Sequence, residues 1–137
     1  MRVVLDTNVL IAALISQNTP PDRAYQAWRA GEFTLLSCEQ QLEEIRRVTR
    51  RAGVKFRIRP MEAGRMVNDL RSLAVMLERL PIVEVSPDPY DNYLLAMAAA
   101  GDADYLVTGD KRDLLALERH GGTRIVTART FVALRET

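Results

Sequence analysis

One cysteine, Cys38, and one histidine, His120, are all that this chain of 137 residues offers in those two types. A lone cysteine excludes an internal disulfide, and a lone histidine beside it excludes a zinc site built from nitrogen and sulfur ligands. That scarcity leads to the expectation of a reducing, cytoplasmic setting. No stretch approaches the roughly 18 apolar residues of a membrane span. The start, Met1-Arg2-Val3-Val4-Leu5-Asp6, has neither the apolar core nor the small-residue cleavage site of a secretory leader, so a soluble protein with no membrane partner is expected. Repeats, low-complexity tracts and long linkers are missing as well, and residues 1–137 are expected to form a single domain. At this length a chain buries roughly two-thirds of the surface its unfolded form exposes, so no disulfide or structural metal is needed for folding.

Nucleotide-binding signatures are also absent. A dinucleotide-binding domain would place Gly-x-Gly-x-x-Gly after the first strand, where Asp6-Thr7-Asn8-Val9-Leu10 stands, and no P-loop occurs. A haloacid-dehalogenase-like phosphatase would carry a second aspartate two residues after its nucleophile, where Asn8 stands. A receiver-type signalling domain would need a phosphoacceptor aspartate after a hydrophobic strand in the middle of the chain, and none follows one.

What is present is an alternation of short β-rich runs with helical patterns, which predicts βαβ units and a parallel sheet. Five strands are expected, near residues 2–5, 33–36, 82–85, 105–108 and 123–126. Pro21 can open a helix that Gly31 closes, and Ser37 with Gln40 has capping-box spacing for a helix that Gly53 ends. From Met61 to Arg79, Met66, Leu70, Leu73 and Leu77, with Val67 and Ala74 beside them, follow the spacing of one helical face, which is expected to be buried.

Four carboxylates stand where these strands hand over to helices. Asp6 follows Val3-Val4-Leu5, Glu44 lies in the helix after Phe33-Thr34-Leu35-Leu36, Asp91 comes after Ile82-Val83-Glu84-Val85, and Asp110 after Tyr105-Leu106-Val107. In an open parallel sheet the strand ends converge on one edge, so distant acids can meet in one crevice. Each acid also has a purely structural reading. Asp6 suits a helix N-cap, and Asp110 or Asp113 suits another. Asp88 before Pro89 accounts for the next cap, with Asp91 one turn in, near the positive helix end. If Leu42, Ile45, Val48 and Ala52 mark a buried face, Glu44 lies on its flank and Glu43 points nearly opposite, into solvent. Glu44 then either pairs with a nearby arginine or reaches inward.

The coincidence of four junctions is what the structural readings leave unexplained. Like charges gathered in one crevice repel unless a cation neutralises them. An all-carboxylate site suits Mg²⁺ or Mn²⁺, and such an ion can activate water and neutralise charge on a phosphodiester. Although the net charge is only +1, Arg46, Arg47, Arg50, Arg51, Lys55, Arg57 and Arg59 fall in a stretch from Ile45 to Met61 that holds no acid. Arg46, Arg50 and Arg57 are candidates for contact with RNA phosphates; a solvated face or a protein partner are the other readings.

Taken in order, Asp6-Thr7-Asn8 after an N-terminal strand, Glu44-Ile45 on a helix, Asp91 three residues before Leu94-Leu95-Ala96, and Thr108-Gly109-Asp110 after a strand resemble a PIN domain. The resemblance spans essentially the whole chain and is narrower towards the ribonuclease toxins of bacterial and archaeal toxin-antitoxin pairs. It implies a three-layer α/β/α domain with a parallel sheet of about five strands and helices on both faces. It also implies a Mg²⁺- or Mn²⁺-dependent endoribonuclease, a cognate antitoxin and homodimerisation. By the same resemblance Asp6, Glu44, Asp91 and Asp110 are catalytic, with Asp6, Asp91 and Asp110 as metal ligands and Asn8 and Thr108 in support. Asn92 departs from the pattern, since many members carry a further acid there. The rival expectation is a non-catalytic RNA-binding or regulatory module that keeps the fold and uses only the basic stretch.

Overall fold

Val3, Val4 and Leu5 are each wholly buried, as expected of a strand covered on both faces. This strand, β1 (Arg2–Leu5), sits in the middle of a six-stranded sheet in a computed structural model that describes residues 1–56, 58–109 and 112–136. After it come α1 (Thr7–Ile15), α2 (Pro20–Arg29), β2 (Thr34–Ser37), α3 (Glu39–Phe56), α4 (Pro60–Leu73) and β3 (Val75–Met76). The chain continues through α5 (Pro89–Ala100), β4 (Tyr105–Thr108), α6 (Arg112–Ala116), β5 (Arg119–His120), β6 (Thr123–Thr127) and α7 (Ala128–Glu136). The strand order is β3-β2-β1-β4-β6-β5, parallel throughout except for the β5–β6 pair.

Alternation along each strand divides the apolar residues between two cores. Val3, Leu5, Leu35, Val107 and Val126 face one side, where Leu10, Trp28, Leu42, Ile45, Met66, Leu70 and Phe131 of α1, α2, α3, α4 and α7 pack on them. Val4, Leu36, Leu106 and Ile125 face the other, beneath Leu94, Leu95 and Met97 of α5 and Leu114 of α6. The result is a three-layer α/β/α fold. No helix among the described residues is long and apolar enough to cross a membrane, and Cys38 is buried with its thiol unbridged.

Local chemistry explains the helix ends. Thr19 caps α2, whose first two residues are Pro20 and Pro21. Gly31, at φ +79°, lets its own amide reach Trp28 O at 2.8 Å and the Glu32 amide reach Ala27 O at 3.0 Å, closing the helix as expected. Gly101 answers to a different need. A Cβ there would stand 2.5 Å from Leu36 Cδ1, so a side chain at this end of α5 would force Leu36 to shift.

Three expectations fail, each for a visible reason. Ile82–Val85 is not a strand: Ile82 is exposed, and Asn92 Oδ1 accepts from the backbone amides of Val85 (3.0 Å) and Ser86 (2.8 Å), holding this segment to α5 instead. The edge position belongs to Val75–Met76, where the spacing from Met61 to Arg79 predicts helix, so α4 stops at Leu73 and leaves that leucine exposed while Met66, Val67 and Leu70 are buried. The third correction concerns α3, which runs past Gly53 to Phe56 and takes no capping box from Ser37 and Gln40. Ser37 still belongs to β2, and the Cys38 carbonyl receives the first helical amides, those of Gln41 at 3.0 Å and Leu42 at 3.2 Å.

Candidate active site

The sheet reverses its order between β1 and β4. Connections from β1 lead to β2 and β3 on one side, while β4 leads to β6 and β5 on the other, which opens a crevice beyond the carboxyl ends of these two strands. Asp6 stands at the end of β1 and Thr108 at the end of β4, and the Asp6 amide bonds to Val107 O at 2.8 Å across the junction.

Both readings of Asp6 hold at once. It caps α1, its Oδ1 accepting from the Asn8 backbone amide at 3.0 Å. The same oxygen accepts from the Tyr90 hydroxyl at 2.7 Å, while Oδ2 accepts from the Thr108 hydroxyl at 2.8 Å. Asp6 and Thr108 are wholly buried. Three donors on a buried carboxylate offset much of the cost of removing it from water. Each carboxylate oxygen has room for about two partners. Among the described residues Oδ1 is therefore filled, and Oδ2 keeps one position.

Glu44 turns inward and Glu43 outward, as the helical spacing predicted. Glu43 pairs with Arg46 at 2.7 Å on the surface; Glu44 is 17% exposed, with Oε1 at 3.2 Å from the Tyr90 hydroxyl and Oε2 at 4.0 Å from Arg47. What aims α3 is Gln41, a buried residue that sequence reasoning passed over. Its Nε2 donates to Leu5 O at 2.8 Å and lies 3.4 Å from Thr7 Oγ1, while its Oε1 accepts from the Ser37 hydroxyl at 2.6 Å. One amide thus joins the ends of β1 and β2 to the start of α1, and Glu44 stands nearly one turn further along α3.

Asp91 is buried in the first turn of α5, behind the cap that Asp88 forms by accepting from the Tyr90 amide at 2.9 Å. Its Oδ2 accepts from the Ser86 hydroxyl at 2.9 Å. Ser86 is held in turn by Asn92, whose Nδ2 donates to Ser86 O at 2.8 Å. The asparagine that departs from the motif therefore fastens the loop that carries a hydroxyl to Asp91.

The Tyr90 hydroxyl stands between Asp6 and Glu44 and gives its one proton to the nearer acceptor, Asp6 Oδ1. Burial first, and then the neighbouring Asp6 carboxylate, push its phenol far above the ordinary range, so it remains a proton donor. Nothing in the sequence singled it out, because a tyrosine at this helix position reads as packing.

Asp6 thus has Thr108 and the Tyr90 hydroxyl as partners, Glu44 lies within reach of that hydroxyl, and Asp91 follows Tyr90 in the first turn of α5. Asp110 and Arg57 lie outside the described residues, as do the side chains of Ala52 and Lys55. Among the described residues no three acids, histidines or cysteines gather closely enough to hold a metal ion. The donors in place nonetheless suit a hard cation, being carboxylate oxygens with an open position on Asp6 Oδ2. Arg46 and Arg50 line a groove of about 530 Å³ between α3 and α4, over Ile58, Ala63 and Val67. Asp113 is exposed on α6.

A family model described as the PIN domain matches residues 2–112. The match takes in β1 through β4 and the four acids Asp6, Glu44, Asp91 and Asp110. No curated protein and no solved structure matches the chain.

Proposed function

The chain belongs to the PIN domain family, whose members are generally nucleases that bind a divalent metal, and from that premise we propose a Mg²⁺- or Mn²⁺-dependent endoribonuclease. The observation that carries the proposal is Asp6, buried at the switch between β1 and β4 with three donors fixing it and one position on Oδ2 open. Asp6 and Asp91, with Asp110, would hold the ion. Once bound, the ion would activate a water molecule and neutralise charge on the scissile phosphodiester. Thr108 and Asn8 keep the Asp6 carboxylate in one orientation, and Ser86 does the same for Asp91. Glu44, partly exposed and near the Tyr90 hydroxyl, would take a proton from water.

Single-stranded RNA incubated with the protein and Mg²⁺ is expected to be cut internally, to survive in EDTA, and to be cut again when Mn²⁺ is restored. Cleavage that persists in EDTA would remove the metal from the mechanism.

The groove arginines supply the RNA contact in this reading. Replacing Arg46 and Arg50 together by alanine is expected to weaken binding across unrelated RNA sequences and to reduce the slope of log affinity against log salt by about 1 to 2, since fewer counterions are released. An unchanged slope would leave both as solvated surface charges. A toxin role, with a protein antitoxin and a second copy of the chain as partners, rests on the likeness of motif order to toxin members of the family. A short reading frame overlapping the upstream end of this gene would support it, and its absence would count against it.

A further inference from the structure

The Tyr90 hydroxyl lies within hydrogen-bond distance of two acids that belong to different elements, Asp6 Oδ1 at 2.7 Å and Glu44 Oε1 at 3.2 Å. The phenol is fixed independently of both. Asp88 takes the Tyr90 amide, Pro89 sets the first turn of α5, and the Tyr93 ring packs on Tyr90 with centroids 6.0 Å apart. Because Asn8 also donates to Asp6 Oδ1, Tyr90 completes the occupation of that oxygen.

We propose that Tyr90 is a positioning residue of the cation site, which fills Asp6 Oδ1 so that only Oδ2 is offered to the ion. The inference rests on reading Asp6 as a cation ligand. Its physical basis is general: a ligand carboxylate with one oxygen held by a fixed donor presents the other in one direction, and loss of such outer partners typically lowers metal affinity by about 10- to 100-fold. The Tyr90–Asp6 bond is therefore retained when the ion binds. A phenol that stood in the ion's place would instead have to be displaced.

Titration of the full chain with Mn²⁺ by calorimetry separates these outcomes. Tyr90→Phe is expected to weaken Mn²⁺ binding by about 10- to 100-fold. Tyr93→Phe, which removes a hydroxyl from the same helix that meets Cys38 Sγ at 3.2 Å, is expected to leave it unchanged. Unchanged or tighter binding in Tyr90→Phe would overturn the proposal, as would an equal loss in both variants. A wild type that takes up no Mn²⁺ would instead remove the cation reading itself, and this inference with it. A second measurement needs no variant. Exchange of the Tyr90 hydroxyl proton, followed by NMR, is expected to be slow with and without Mg²⁺, and loss of protection on adding Mg²⁺ would contradict retention of the bond.

Discussion

Asp6→Asn is expected to lower RNA cleavage in Mg²⁺ by at least about a hundredfold while the protein stays folded. The hydrogen bonds dictate how the amide must sit. Oδ1 faces two donors, the Asn8 amide and the Tyr90 hydroxyl, so the asparagine oxygen takes that side and keeps the cap of α1. Its NH₂ then faces Thr108, whose hydroxyl can rotate to accept instead of donate. The fold therefore tolerates the change, whereas the position left on Oδ2 for a cation becomes a hydrogen-bond donor. Single-turnover cleavage and a thermal melt of the same sample check both halves. Cleavage at the wild-type rate would place the chemistry elsewhere.

Gln41→Ala is expected to destabilise the protein by about 2 to 4 kcal/mol, because it leaves Leu5 O and the Ser37 hydroxyl without their buried amide partner. Few side chains here join so many elements at once. Since Glu44 sits on the same helix, nearly one turn on, activity is expected to fall as well, through the aim of α3 rather than through chemistry. Urea unfolding measures the stability term. A loss below about 0.5 kcal/mol, the usual scale of a surface substitution, would mean that the tie between α3 and β1 lies elsewhere.

The sequence disclosed those parts of the fold that depend on patterns within a segment. Val3-Val4-Leu5 and Leu106-Val107 are apolar runs of strand length, and they form β1 and β4. Pro21 and Gly31 supply start and stop signals within one segment, and α2 (Pro20–Arg29) follows them to within one or two residues. Ile82-Val83-Glu84-Val85 has the same β character but begins after Pro81, and it is claimed by Asn92, ten residues beyond Ile82. That competition is between a strand and a side chain, and no window centred on the strand can weigh it. Asp91 stands where expected in the helix even though the strand before it does not exist, because Asp88 and Pro89 alone fix the first turn of α5.

The candidate site was legible in its acids and not in their supports. Carboxylates after apolar runs stand out because a charge at a buried junction needs a reason. Tyr90, Gln41 and Ser86 belong to types that fill ordinary positions on helices and loops, and only the folded arrangement shows which atoms they hold. Glu44 falls between the two groups. Helical periodicity put it on the flank of a buried face, and the fold then supplied the hydroxyl it reaches.

Anomalous diffraction from crystals of the wild-type protein soaked in Mn²⁺ tests the account at its centre. A manganese peak is expected at roughly 2.0–2.6 Å from Asp6 Oδ2 and from an Asp91 carboxylate oxygen, with Thr108 and Tyr90 still bonded to Asp6. Manganese bound elsewhere, with no ion within reach of Asp6, would contradict it.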